Sequence, residues 1–104
     1  MKAIVAWTTL PDVKSAQKIA RGLVQDRLAA CVSVCPGVLS TYRWKKRIET
    51  AREALLIVKT SAGKQKAARD FVLRRHPYEL PEWIVWVAPS GSKKYLDWIG
   101  KSIR

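Results

Sequence analysis

Apolar positions along the chain alternate between extended runs and helical stripes, and their order sketches a fold. Residues 2–9 are short, apolar and β-branched, are closed by Pro11, and read as a strand. Asp12 stands where an N-cap belongs. Val13, Ala16, Ile19, Ala20, Leu23, Val24 and Leu28 then recur at spacings of three and four, which predicts an amphipathic helix of about four turns. Ala30 to Val34 form a second apolar run. Pro36-Gly37 interrupts it, yet the extended pattern resumes from Val38 to Trp44, so one long strand bent at a bulge is expected. Beyond the polar turn Lys45-Lys46-Arg47, the chain is extended again from Ile48 to Thr60, and its stretch Leu55-Leu56-Ile57-Val58 is apolar on both faces. These two strands make a hairpin much longer than the ordinary strand of ~5–6 residues allows.

Ser61 is expected to cap a second helix from Ala62 to about Arg75, with Ala67, Ala68, Phe71 and Val72 facing inward and Pro77 ending it. The segment from His76 to Glu82 carries two prolines and reads as a stiff connection. Trp83 to Val87 supply the last strand, and Ser92 is placed to cap a terminal helix with Leu96, Ile99 and Ile103 on one face. The order is βαββαβ plus a final helix. It predicts an α+β, ferredoxin-like sandwich, a single domain over residues 1–104 whose antiparallel sheet has helices on one face. The other sheet face is left bare. In a chain with five Trp such a face asks for a partner subunit, and Tyr42, Trp44, Trp83 and Trp86 are the residues assigned to that interface.

Composition sharpens this only in places. Hydrophobic residues make up 48% of the 104, as in an ordinary folded domain. Twenty Lys and Arg against eight Asp and Glu leave +12, which makes nucleic acid and other polyanions possible electrostatic partners. In sequence order the basic residues are spread over both helices, the hairpin tip and the end rather than forming a stripe. An RNA-recognition motif is set aside, because Leu55-Leu56-Ile57-Val58-Lys59 offers no stacking ring. No apolar run approaches the ~18 residues of a membrane span, and no signal-peptide pattern opens the chain, so a cytoplasmic protein with no membrane insertion is expected. Cys31 and Cys35 fall on one strand face ~13 Å apart, too far for a mutual disulfide, and read as buried free thiols.

Candidate chemistry is sparse. There is one His and no G-x-S-x-G, P-loop or G-x-G-x-x-G pattern, so an enzyme is not expected. His76 has two readings. It either ends the second helix by satisfying its last carbonyls, or binds a metal ion with help from Glu79, Tyr78 or a neighbouring chain.

Several segments in order resemble one known family. Ala20-Arg21-Gly22-Leu23-Val24, Arg27-Leu28-Ala29-Ala30-Cys31-Val32, Tyr42-Arg43-Trp44, Leu55 to Thr60, His76-Pro77-Tyr78-Glu79-Leu80-Pro81-Glu82 and Tyr95-Leu96-Asp97-Trp98 are similar to those of the CutA divalent-cation tolerance proteins. The resemblance is collinear over essentially the whole chain. It implies a homotrimer with a subunit like that of the PII signalling proteins, laced together by the long hairpins, a role in divalent-cation and copper tolerance, and no established reaction. Where some members carry a thiol and a second His, this chain has Thr8 and Arg75, so only His76 carries over as a copper ligand, and Glu79, two residues beyond Pro77, is the other candidate donor. Weak Cu²⁺ binding and no required cofactor are therefore expected. Members usually have W-x-G at the hairpin tip and a near-neutral or acidic balance; here stand Trp44-Lys45-Lys46 and +12. Two other functions stay open: on the charge, a basic protein binding polyanions by electrostatics, and, on architecture alone, a PII-like small-ligand sensor using clefts between subunits.

Overall fold

In the computed structural model, which describes residues 1–88 and 90–104, eight secondary-structure segments follow one another. They are β1 (Ala3–Leu10), α1 (Val13–Gln25), β2 (Cys31–Trp44), β3 (Arg47–Ser61), a 3₁₀ turn (Ala62–Lys64), α2 (Gln65–Arg75), β4 (Ile84–Val87) and α3 (Lys93–Ser102). The sheet order is β2-β3-β1-β4 with every neighbouring pair antiparallel, the expected ferredoxin-like arrangement.

Local chemistry accounts for most boundaries. Asp12 caps α1 by accepting the Ser15 backbone N–H at 2.7 Å. The helix stops at Gln25, short of the expected Leu28. Arg27 turns left-handed at φ 58°, the Leu28 N–H reaches back to the Leu23 carbonyl at 2.9 Å and the Arg27 N–H to that of Val24 at 3.1 Å. This Schellman ending returns Leu28 to the same apolar cluster, which is why its spacing imitated another helical turn. Neither Ser61 nor Ser92 caps its helix through its side chain. Ala67, expected on the inner face of α2, is exposed, while Ala68 and Val72 are fully buried.

The core lies between one sheet face and the α1–α2 layer. Ala6 and Leu10 of β1, Leu56 and Val58 of β3, Ile19 and Leu23 of α1, and Ala68 and Val72 of α2 form it. The helices approach closely where α1 has no side chain: a Cβ on Gly22 would stand 2.5 Å from the Phe71 ring. On the opposite face, α3 packs Ile99 and Ile103 against Ala30, with Tyr95 over the Lys59 ammonium. That face is therefore partly covered rather than bare.

The expected bulge is present and has a consequence for every residue after it. Cys31, Ser33 and Cys35 pair with Lys59, Ile57 and Leu55, on the face away from the core. The register shifts between Cys35 and Val38, with Gly37 at φ 69°. Beyond it Val38, Ser40, Tyr42 and Trp44 pair with Glu53, Ala51, Glu49 and Arg47. An extra residue in a period-two strand exchanges its faces, so Tyr42 and Trp44 share a face with Trp7 and Trp86. Cys35 is exposed there, against the expectation of a buried thiol, and Cys31 is half-buried.

β1 ends opposite Ala54, so the seven pairs from Val38–Glu53 to Trp44–Arg47 project beyond the sheet as a two-stranded arm. The radius of gyration of 14.2 Å exceeds the ~13 Å of a compact chain this long.

Candidate functional site

β4 begins opposite Trp7, so the stiff segment leading into it passes beside Thr8 and Thr9 of β1. Its two prolines hold it extended there. His76 is the first contact. Its Nε2 donates to the Thr9 carbonyl at 2.8 Å and lies 3.2 Å from the Thr8 hydroxyl, and its Nδ1 accepts the Tyr78 backbone N–H at 3.3 Å. The ring thus clamps the end of α2 to β1 instead of capping the helix carbonyls. Burial pushes its pKa below the ordinary 6.5, against the opposing pull of the Thr9 carbonyl and the Glu53 charge.

Tyr78 makes the second contact. Its hydroxyl donates to Glu53 Oε2 at 2.6 Å, a short charge-assisted bond. Glu53 is only 8% exposed although it sits on the face away from the core. Desolvation first, and then the Glu53 hydrogen bond and charge, hold the phenol well above its usual range. Burial, with the Glu53 charge added, also raises the Glu82 carboxyl. Thr8, fully buried, completes a polar cluster that joins β1, β3 and the segment 76–82.

A groove of about 820 Å³ opens from this cluster. Glu53, Tyr78, Glu79 and Glu82 line it together with Tyr42, Arg43 and Trp44 of the arm. Glu53 is not among the residues that the sequence alone marks. Its signal was a lone carboxylate, next to Ala54, at the start of an apolar strand, but nothing local ties it to Tyr78, 25 residues away.

The residues assigned to metal are brought to the same region without forming a donor set. Both His76 nitrogens face protein partners, and Glu79 lines the groove with its chain exposed. Among the described residues, no three His, Cys, Asp or Glu gather in a way that would hold an ion. A strong copper site does not fit this arrangement.

The four aromatic residues assigned to an interface separate. Tyr42 and Trp44 lie on the outer face of the arm, and Trp86, 65% exposed, stands on the same face of β4 with Trp7 at 6.0 Å between ring centroids. Trp83 projects the other way. It packs against the core, and its indole N–H donates to Gln65 Oε1 of α2 at 2.9 Å, so it belongs to the subunit's own interior.

Residues 4–102 match the family described as CutA1 divalent ion tolerance protein. The Divalent-cation tolerance protein CutA of Pectobacterium atrosepticum is 36% identical over 102 residues, covering 98% of this chain and 93% of that protein. The chloroplastic Protein CutA of Arabidopsis thaliana is 37% identical over 102 residues; this chain is covered to 98% but spans only 56% of that longer relative. Among solved structures, CutA from Xylella fastidiosa superimposes with a TM-score of 0.97 at 44% identity, with both chains fully covered. With its sequence matched almost end to end and its fold reproduced throughout, the chain belongs to the CutA1 family of divalent ion tolerance proteins.

Proposed function

We propose that the chain acts in divalent-cation tolerance as a non-enzymatic homotrimer of PII-like subunits. The observation that carries this reading is the two-stranded arm. A two-stranded ribbon is marginal in water, and this one exposes Leu39, Tyr42 and Ile48, the last at 69%. Ile84 and Trp86 of β4 are exposed as well, and the Trp7 indole N–H is buried without an acceptor among the described residues. Arms laid across neighbouring sheets would cover these surfaces, and Tyr42, Trp44 and Trp86 are the residues placed there. The absence of a reaction is supported by His76, the single imidazole, whose ring is committed to the Thr9 carbonyl.

Copper(II), the strongest-binding divalent ion of its row, is proposed to bind weakly through His76 and Glu79. To do so it must take Nδ1 from the Tyr78 N–H. Two free thiols on one strand support a reducing, cytoplasmic setting, and no helix among the described residues is long and apolar enough to cross a membrane. Sedimentation with copper titration tests the reading. The expected mass is three times 11.8 kDa, with weak binding that His76→Ala abolishes. A species of 11.8 kDa at micromolar concentration overturns the trimer, and equal copper affinity in both proteins removes His76 as ligand.

A further inference from the structure

The fold gathers basic residues that sequence order scatters. α1 and α2 lie side by side on one sheet face, and their outer surface carries Lys14, Lys18, Arg21, Lys66 and Arg74, all exposed. Residues 12–27 and 64–75 together hold nine Lys and Arg against three Asp, a net +6, half of the +12 of the whole chain. Two of those acids are locally engaged: the Asp12 carboxylate caps α1 and Asp70 pairs with Arg69 at 3.2 Å, while Asp26 closes the last turn of α1 through its backbone N–H. Among the described residues only one other salt bridge exists, Lys93–Asp97 on α3. None of the five exposed cations named above forms a salt bridge among the described residues, and they lie on the helix-covered side of the sheet, opposite the Trp7–Trp86 face.

We infer that this helix layer is a binding surface for the phosphate backbone of double-stranded nucleic acid, read without regard to sequence. Lys14, Lys18 and Arg21 follow one another at i, i+4 and i+7, a row along a single helix face about 10 Å long. That row matches a repeating array of phosphates. The layer presents no stacking platform for unpaired bases: its one aromatic ring, Phe71, is half-buried beneath the Arg75 guanidinium at 3.6 Å. Nor does it offer an aromatic anchor for a lipid surface.

The test compares two variants of equal net charge. Lys18→Glu/Lys66→Glu reverses one exposed cation on each helix of the layer. Lys94→Glu/Lys101→Glu reverses two exposed cations on α3, across the sheet. Each falls to +8, and circular dichroism checks that both fold. Binding of a fluorescent random-sequence duplex is measured by anisotropy from about 50 to 200 mM salt. The wild type should bind at low salt with affinity falling steeply as salt rises. The helix-layer variant should bind at least about tenfold more weakly, with a salt slope smaller by about two, and the α3 variant should stay close to wild type. No duplex binding at about 50 mM salt overturns the inference, as do equal losses in the two variants. Stronger binding of a single strand, or of vesicles containing anionic lipid, than of the duplex likewise overturns it.

Discussion

At the scale of single residues the protein is organised around one buried carboxylate and one half-buried imidazole. Glu53 loses most of its water and regains one strong partner, the Tyr78 hydroxyl. Tyr78→Phe keeps the ring but leaves that oxygen without its donor, so it should cost about 1.5–3 kcal/mol in urea denaturation. Glu53→Gln, which keeps an acceptor and sheds the charge, should cost less. His76 has a folded pKa below its unfolded value of 6.5, so the neutral ring's stabilisation is complete above that pH and fades as pH falls through the lowered folded value. Glu82, with a raised pKa, works in the opposite sense nearer to 4.5. The denaturation midpoint of the wild type should therefore drop as pH is lowered from about 7 to about 5, and that slope should flatten in His76→Gln, which has no charge to gain. A variant with an unchanged slope would remove His76 as its source. The importance of His76 was legible in the sequence; its partners were not, because the Thr9 carbonyl lies 67 positions away.

At the scale of elements, three positions hold left-handed backbone without the residue that favours it. Lys45 and Lys46 turn the hairpin at φ 49° and 68°, and Arg27 ends α1 at φ 58°. Two successive positive φ values call for an Asn-Gly type of turn, and a Schellman ending calls for Gly. Lys46→Gly and Arg27→Gly should each stabilise by about 1 kcal/mol, seen as a raised melting temperature. Gly37 is the converse: Gly37→Ala at φ 69° should cost about 1–2 kcal/mol and disturb the bulge on which the facing of Tyr42 and Trp44 depends. The bulge itself was readable, since Pro-Gly inside an extended pattern has few other uses. The helix end was not, because Leu28 packs on the core whether the chain continues as helix or turns back.

At the scale of the whole molecule, the projecting arm and the exposed face of β4 make the subunit read as part of a larger assembly. Two tryptophan variants separate interior from interface. Trp83→Ala should lower the melting temperature while leaving the sedimenting mass unchanged, because that ring packs inside the subunit. Trp44→Ala should cost about 3–5 kcal/mol in an assembly that buries it and should make melting depend more steeply on protein concentration. An unchanged melting temperature for Trp44→Ala would mean that the arm stays in solvent.

The sequence by itself determined the elements and their order, because periodicity and prolines act within a few residues and leave a local record, and its collinear motifs carried the resemblance to the family. It also contained the clue that separates two tryptophans: Trp83 and Trp86 are three apart in one extended segment and so face opposite sides. What only the tertiary structure decided was which side chains meet. Glu53 finds Tyr78, His76 finds Thr9, and the cations of α1 and α2 converge on one surface. Each of these depends on strand register and on helices crossing the same sheet face. Those arrangements are set by the burial of the whole core at once, and no single segment carries them.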